Sequence, residues 1–305
     1  MPSVILKIGN QMHQPQHFTS THLFFLLFFI IGCCLSASVW ADTVEEKLPS
    51  GFVATAHFKQ GETTKPAALI VHGFLATRNF RTVANLSSSL YDDGYTVLAP
   101  NLTLGINRRK VSLACEAIHS HSIQDDIAEI NFWVDWLVAH GNKSVVLVGH
   151  SFGSLHTLSY YLAYKHPAVK KIIATSLIDI ENSIASEIAA SQIISAQNMA
   201  TANDKQLGEY KMSYCKKYVA PPKAFLSYAK WTKSTILDGL TQINTPVEII
   251  IGSADQRMSS DWINSLSEAN VKLTLIEGAN HFFDNEHEFD LLDKVIESLS
   301  KLKLK

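Results

Sequence analysis

Val145-Val146-Leu147-Val148-Gly149-His150-Ser151-Phe152-Gly153-Ser154 is the stretch on which the fold turns. Four apolar, mostly β-branched residues in a row suit a strand buried on both faces, as in a parallel sheet. The strand runs into Gly149-x-Ser151-x-Gly153 and at once into a helical pattern from Leu155 to Lys165. A strand, a sharp turn and a helix around G-x-S-x-G form a nucleophile elbow. Gly149 and Gly153 carry no Cβ, so the helix can begin tight against the strand while Ser151 sits in a strained turn with its hydroxyl exposed. A plain strand–turn–helix with an incidental serine has the same local pattern. What separates the two is whether the chain also supplies a base, an acid and an oxyanion hole.

Working outward, Asp42–Pro49 reads as a polar lead-in, and Gly51–Lys59 alternates enough for an outer, antiparallel strand. Ala67–Val71 is the first buried strand and ends in His72-Gly73-Phe74-Leu75. Asn79–Asp93 fits an amphipathic helix with Val83, Leu86 and Leu90 on one face, followed by a strand over Tyr95–Pro100. Asn101–Glu116 shows no period, and its Arg108-Arg109-Lys110 cluster reads as a solvated loop face. Ser122-x-x-Asp125 is a capping box opening a helix with Ile123, Ile127, Ile130, Val134 and Leu137 inward. Asp125, Asp126 and Glu129 then sit near its positive end. His119-Ser120-His121 followed by Asp125-Asp126 has the residue types of a metal site, but no further ligand cluster appears in the chain. These residues are read as a helix start, and no metal or cofactor is expected.

Lys171–Ser176 is another buried strand, Pro246–Gly252 and Lys272–Ile276 return to the sheet with a helix between them, and Asp290–Leu304 is a closing amphipathic helix. From Leu177 to about Leu240 the strand signal disappears; the segment is rich in Ala, Ser, Gln and Lys, and Pro221-Pro222 divides it into two helical pieces. It is too long for a plain loop in a compact domain and reads as an inserted helical lid. Strands alternating with helices predict an α/β fold: a mostly parallel central sheet with helices on both faces, one domain over 42–305 with the lid at about 177–240.

The chain has 305 residues and a formal net charge of −2 with mixed signs, which gives no basic footprint for nucleic acid. Residues 1–41 form a signal peptide or membrane anchor on this reading. Leu23–Ile31 is strongly apolar, and the small-residue stretch ending Val39-Trp40-Ala41 resembles a cleavage site after Ala41. Two alternatives stand beside cleavage: lipidation at Cys33, since Ile30-Ile31-Gly32-Cys33 resembles a bacterial lipobox, and an uncleaved anchor over Leu23–Ala41. All three export the rest of the chain, to the periplasm or beyond, and two of them attach it to a membrane. Cleavage leaves Cys115 and Cys215, which an oxidising compartment can bridge; two separate buried thiols are the other reading.

Serine is a weak nucleophile unless a base takes its proton as it attacks. Two downstream strand ends carry the missing groups: Gly252-Ser253-Ala254-Asp255 and Gly278-Ala279-Asn280-His281. Ser151, Asp255 and His281 stand in the chain order of nucleophile, acid and base. His281 would take the Ser151 proton and Asp255 would hold the imidazole, with Asp179, just past the strand ending at Ser176, as the rival acid. With these motifs in order, the chain resembles an α/β-hydrolase fold enzyme from about Gly51 to Leu304. His72-Gly73-Phe74 is similar to that superfamily's oxyanion loop, so the resemblance implies the backbone amides of Phe74 and Phe152 as oxyanion donors. His72 and His150 flank motifs and read as structural. The expected activity is cleavage of a small-molecule carboxylic ester or thioester through an acyl-enzyme. Acyl transfer by the same triad, or a non-catalytic hydrolase-like binding protein, are the alternatives.

Overall fold

The computed structural model describes residues 42–180, 186–202 and 205–302. Cleavage after Ala41, lipidation at Cys33 and an anchor over Leu23–Ala41 all fall outside the described residues. Among the described residues no helix is long and apolar enough to cross a membrane.

The strands are β1 (Asp42–Lys47), β2 (Val53–Lys59), β3 (Ala67–Val71), β4 (Thr96–Asn101), β5 (Val145–His150), β6 (Val169–Thr175), β7 (Gly208–Met212), β8 (Cys215–Ala220), β9 (Val247–Gly252) and β10 (Lys272–Ile276). The helices are α1 (Arg81–Asp92), α2 (Ile123–Ala139), α3 (Phe152–Tyr164), α4 (Ser186–Ala202), α5 (Pro222–Ala229), α6 (Lys233–Thr241), α7 (Ser260–Glu268) and α8 (His287–Ser300). Eight strands form one sheet in the order β1-β2-β4-β3-β5-β6-β9-β10. The run from β4 to β10 is parallel, while β2 lies antiparallel to β4 and β1 antiparallel to β2. The chain moves outward from β3 to β4 and then crosses to β5 on the other side. The strand order therefore reverses between β3 and β5, the place where open α/β sheets hold ligands.

The apolar runs split between the two faces with the period of two that strands impose. Leu69, Val71, Val145 and Leu147 join a core with α2, α3 and α7, while Ala68, Ile70, Val146 and Val148 pack with α1 and α8. Helix α2 opens with the expected capping box: the Ser122 side chain accepts from the Asp125 amide, and the Asp125 carboxylate accepts from the Ser122 amide. Ile123, Ile127, Ile130, Val134 and Leu137 are all buried beneath it.

Two expectations change. Asp42–Pro49 is not a bare lead-in, because Asp42–Lys47 pairs with β2 as the edge strand β1. An edge strand needs only one hydrogen-bonded neighbour and one packed face. Here Val44 packs on the core, and the Trp136 indole N–H donates to Glu46 at 2.9 Å.

The insertion between β6 and β9 is not purely helical either. It holds α4, α5 and α6, but between α4 and α5 the chain forms the antiparallel hairpin β7–β8. Gly208, Tyr210 and Met212 are buried while Glu209 and Lys211 are exposed; Cys215 and Tyr218 are buried while Lys216 and Lys217 are exposed. The charged residues that suggest a helix are the solvent face of a ribbon with a period of two. The other face is held by Tyr210, whose ring stacks on Phe225 of α5 at 3.9 Å.

Cys115 and Cys215 are bridged, with Cα atoms 5.4 Å apart, so the reading as separate thiols falls away. The hairpin is also sewn to the 101–122 segment by the His119 amide, which donates to Val219 O at 2.8 Å. The bridge spans a sequence separation of 100 residues, and in the chain-entropy account a closure of that length stabilises by roughly 4–5 kcal/mol.

Candidate active site

Ser151 sits between β5 and α3 with φ 57° and ψ −120°, a region that non-glycine residues avoid and that costs on the order of 1–3 kcal/mol. The surroundings impose it. The Ser151 amide donates to Thr175 O at 2.9 Å, and the Ser154 hydroxyl donates to Gly149 O and Thr175 O at 2.9 and 2.8 Å. A Cβ on Gly149 would fall onto the Gly153 backbone, and one on Gly153 would fall onto the carbonyls of Val71 and His72. The two glycines let β3, β5 and α3 meet at backbone distance, which aims the serine away from the sheet.

The Gly252–Asp255 and Gly278–His281 turns come together in the same way. Gly252 faces Ala279 O with no room for a side chain, and the Ala254 amide donates to that carbonyl at 3.0 Å. The Ser176 hydroxyl, at the end of β6, donates to His281 O at 2.8 Å and ties the Gly278–His281 turn to the sheet. The outcome is a continuous line: Ser151 Oγ lies 2.9 Å from His281 Nε2, and His281 Nδ1 lies 2.7 Å from Asp255 Oδ2. The other Asp255 oxygen accepts from the Arg257 amide at 2.9 Å. With Asp255 as the carboxylate, Nδ1–H is the donor and Nε2 faces the serine as acceptor. The three side chains are buried, Ser151 with 8% of its surface exposed and His281 and Asp255 with 4% each. Asp179, the rival acid, is buried beyond β6, and the His281 ring is engaged by Asp255.

Gly73 lies against the nucleophile: a Cβ there would come 3.4 Å from Ser151 Cβ. Phe152 is the first residue of α3, where amides have no partner within the helix. Among the described residues, neither the Phe74 nor the Phe152 amide donates to another protein group. Their rings pack together at 4.6 Å. A cavity of about 220 Å³ opens over Ser151 and is lined by Gly73, Phe74, Phe80, Tyr214, Arg257 and Phe282, among others. This arrangement can deliver an oxygen nucleophile to a bound electrophile with a base in line behind it.

A family model described as the alpha/beta hydrolase fold matches residues 66–209. The chain has the α/β-hydrolase fold. Among solved structures, Est1E from Butyrivibrio proteoclasticus superposes with a TM-score of 0.61 at 17% identity, covering 85% of this chain and 98% of its own. The α/β hydrolase GrgF from Penicillium sp. sh18 gives 0.65 at 14%, covering 86% and 99%. A thermophilic esterase from Thermogutta terrifontis gives 0.59 at 16%, covering 87% and 100%. No curated protein sequence matches.

In this fold the His72-Gly73-Phe74 loop rests on a buried arginine, although the Arg108-Arg109-Lys110 cluster reads from the sequence as a solvated loop face. Arg108 and Lys110 are exposed, but Arg109 is only 3% exposed. Its guanidinium donates to Leu102 O at 2.7 Å, Ala76 O at 2.7 Å and Val111 O at 3.0 Å, and to His72 Nε2 at 2.9 Å. Burial brings Arg109 down to about 10, still cationic at neutral pH. Burial and the Arg109 charge push His72 down to about 3, so the ring is neutral. Its Nε2 accepts from Arg109 and from the Leu102 amide, leaving Nδ1–H to donate to Gly73 O at 2.9 Å. His72 and Arg109 thus hold the loop that carries Phe74. His150, read as structural, is buried, with Nδ1 at 3.1 Å from Thr175 Oγ1. The run of like charge in Arg108-Arg109-Lys110 is silent about which side chain turns inward, because that depends on where the carbonyls of Ala76, Leu102 and Val111 and the His72 ring converge.

The His119–Asp126 stretch also turns inward; among the described residues no group of three or more His, Cys, Asp or Glu is placed to hold a metal ion. Asp126 lies 3.2 Å from His121 Nδ1 and 3.0 Å from His156 Nε2, and it accepts a hydrogen bond from the Tyr228 hydroxyl. These groups come from the segment before α2, from α2, from α3 and from α5 of the insertion, so Asp126 joins the insertion to the core. Burial alone would push its carboxyl up, but the His121 and His156 rings hold it below the ordinary carboxylate value. Asp126→Asn keeps the volume and removes the charge, and we expect it to cost roughly 3–5 kcal/mol, the range for breaking a buried ionic cluster. Urea unfolding with an unchanged slope measures it; a loss under about 1 kcal/mol would refute the ionic account. Because the folded-state value is depressed, this contribution is present above the unfolded carboxylate pKa of about 3.9 and is lost as pH falls below it.

Proposed function

We propose that the chain is a serine hydrolase that cleaves a small-molecule carboxylic ester or thioester through an acyl-enzyme, with Ser151 as nucleophile, His281 as general base and acid, and Asp255 as the carboxylate that orients the base. The observation that carries this reading is the unbroken hydrogen-bonded line from Ser151 through His281 to Asp255, set at the carboxyl edge of β5, β9 and β10. As Ser151 Oγ attacks the carbonyl carbon, its proton passes to His281 Nε2, and the resulting imidazolium is stabilised by Asp255. The carbonyl oxygen takes up negative charge and is met by the amides of Phe74 and Phe152. His281 then gives its proton to the departing alcohol or thiol, leaving Ser151 acylated. Water enters, loses a proton to His281 and releases the acid by the same steps in reverse. Elbow strain supports this role, since Ser151 keeps its unfavourable backbone where four neighbouring segments hold it.

The segment at about 177–240 is read as a lid over this site, and residues 1–41 as an export segment. The Cys115–Cys215 bridge supports export, because such bridges persist in oxidising compartments and are rare in reducing ones.

The test is labelling with a fluorophosphonate, which phosphonylates a serine only when that serine is activated. The purified protein should take up one equivalent, mapped by peptide sequencing to Ser151. Absence of label on a folded protein would favour a non-catalytic binding role.

A further inference from the structure

The cavity beside Ser151 is lined by groups of two kinds. Phe282 and Arg257 follow His281 and Asp255 on their turns, and the guanidinium lies 4.7 Å over the Phe282 ring. A leaving oxygen must come within reach of His281 Nε2 to receive its proton, so the alcohol or thiol portion of a substrate belongs beside that ring. The acyl portion then shares the cavity with the other lining residues, Phe74, Ser112 and Tyr214 among them.

Tyr214 is no part of the sheet that carries the triad. It sits in the turn between β7 and β8, after Ser213 with φ 52°. Its ring meets Phe74 edge-on at 5.5 Å, and its hydroxyl donates to Phe74 O at 3.4 Å. The next residue, Cys215, is bridged to Cys115, three residues past the lining residue Ser112. The hairpin tip is thus held covalently on one side of the ring and by a hydrogen bond on the other. The cavity volume, about 220 Å³, is little more than the ~150 Å³ that accommodates benzene and falls below the ~300–1,000 Å³ of sites for drug-sized ligands.

We infer that Tyr214 is the specificity-determining residue of this site: its ring bounds the space left to the acyl group, restricts substrates to esters of compact acyl groups, and is kept in place by the Cys115–Cys215 disulfide. The inference rests on the assignment of Ser151 as nucleophile. A compact acyl group of about the size of butyrate or a single ring fits in the cavity that Phe74 and Tyr214 line. A longer chain has to displace the hairpin tip, which the bridge resists.

The experiment is a chain-length profile with p-nitrophenyl esters from acetate to decanoate, run on wild type, Tyr214→Ala, Tyr214→Phe and the Cys115→Ser/Cys215→Ser double variant, each titrated first with fluorophosphonate. Wild-type kcat/KM is expected to fall at least tenfold between butyrate and octanoate. Tyr214→Ala should flatten that fall, raising octanoate turnover at least tenfold relative to acetate. Tyr214→Phe should keep the wild-type profile, because the ring and not the hydroxyl sets the limit. The double variant should move toward Tyr214→Ala by a smaller factor. Since Tyr214 is 54% exposed, its truncation leaves the core intact, and the label titration counts folded sites directly. An unchanged profile in Tyr214→Ala with full labelling would overturn this inference alone. Neither labelling nor turnover in the wild type would overturn the Ser151 assignment and this inference with it.

Discussion

Ser151→Ala is expected to abolish ester turnover, by on the order of a millionfold in kcat, and to abolish fluorophosphonate labelling while leaving the fold intact. The size follows from how the parts are coupled. His281 Nε2 has no proton to take once Ser151 Oγ, 2.9 Å away, is removed, so the base and the acid lose their task together with the nucleophile. Water can enter the vacated space, but it is not held at attack distance, and what remains is the modest assistance of substrate binding and the oxyanion amides. Stability should change little. The lost hydrogen bond is worth about 1 kcal/mol, and alanine meets the same backbone strain that serine does. Turnover by purified Ser151→Ala within tenfold of wild type would end the assignment.

Asp255→Asn comes second in size, at about 10⁴-fold in kcat. The amide still accepts from the Arg257 amide through its oxygen, so the turn can survive. What changes is the atom facing His281 Nδ1 at 2.7 Å. An amide nitrogen there donates, which drives the imidazole proton to Nε2 and points an N–H at Ser151 in place of an acceptor. The imidazolium formed during attack also loses its counter-charge. Asp179→Asn is the control, because Asp179 lies past β6 and the Nδ1 edge of His281 belongs to Asp255. A larger penalty at Asp179 than at Asp255 would move the acid to the β6 end and invalidate the reading of the Gly252–Asp255 turn. Steady-state kinetics on one ester, with labelled-site titration to normalise active protein, gives both numbers.

Much of this protein is written locally in its chain. The continuous apolar runs Ala67–Val71 and Val145–Val148 can only be strands with both faces covered, because nothing in them is fit for solvent. The Ser122–Asp125 capping box and the inward stripe from Ile123 to Leu137 specify α2 without reference to anything else. The proposed triad residues share a related cue: each stands in the turn after a strand of the parallel run, and such strands end at one edge. Chain order alone brings Ser151, Asp255 and His281 to the same side.

Tertiary structure decided what depends on partners distant in sequence. Arg109 and Lys110 are neighbours of the same charge, yet only Arg109 is drawn inward, because the carbonyls of Ala76, Leu102 and Val111 and the His72 ring converge on it. Asp126 looks like an ordinary acidic residue of a helix start until His156 of α3 and Tyr228 of the insertion close over it. The β7–β8 ribbon hid in a lysine-rich segment, since its alternation spans few residues and its buried face exists only against α5 and the disulfide loop. Pairing of Cys115 with Cys215 needed two segments 100 residues apart to meet. Period and strand ends are properties of adjacent residues and can be read one window at a time; burial of a charge, pairing of a thiol and closure of a pocket are properties of what folds against them.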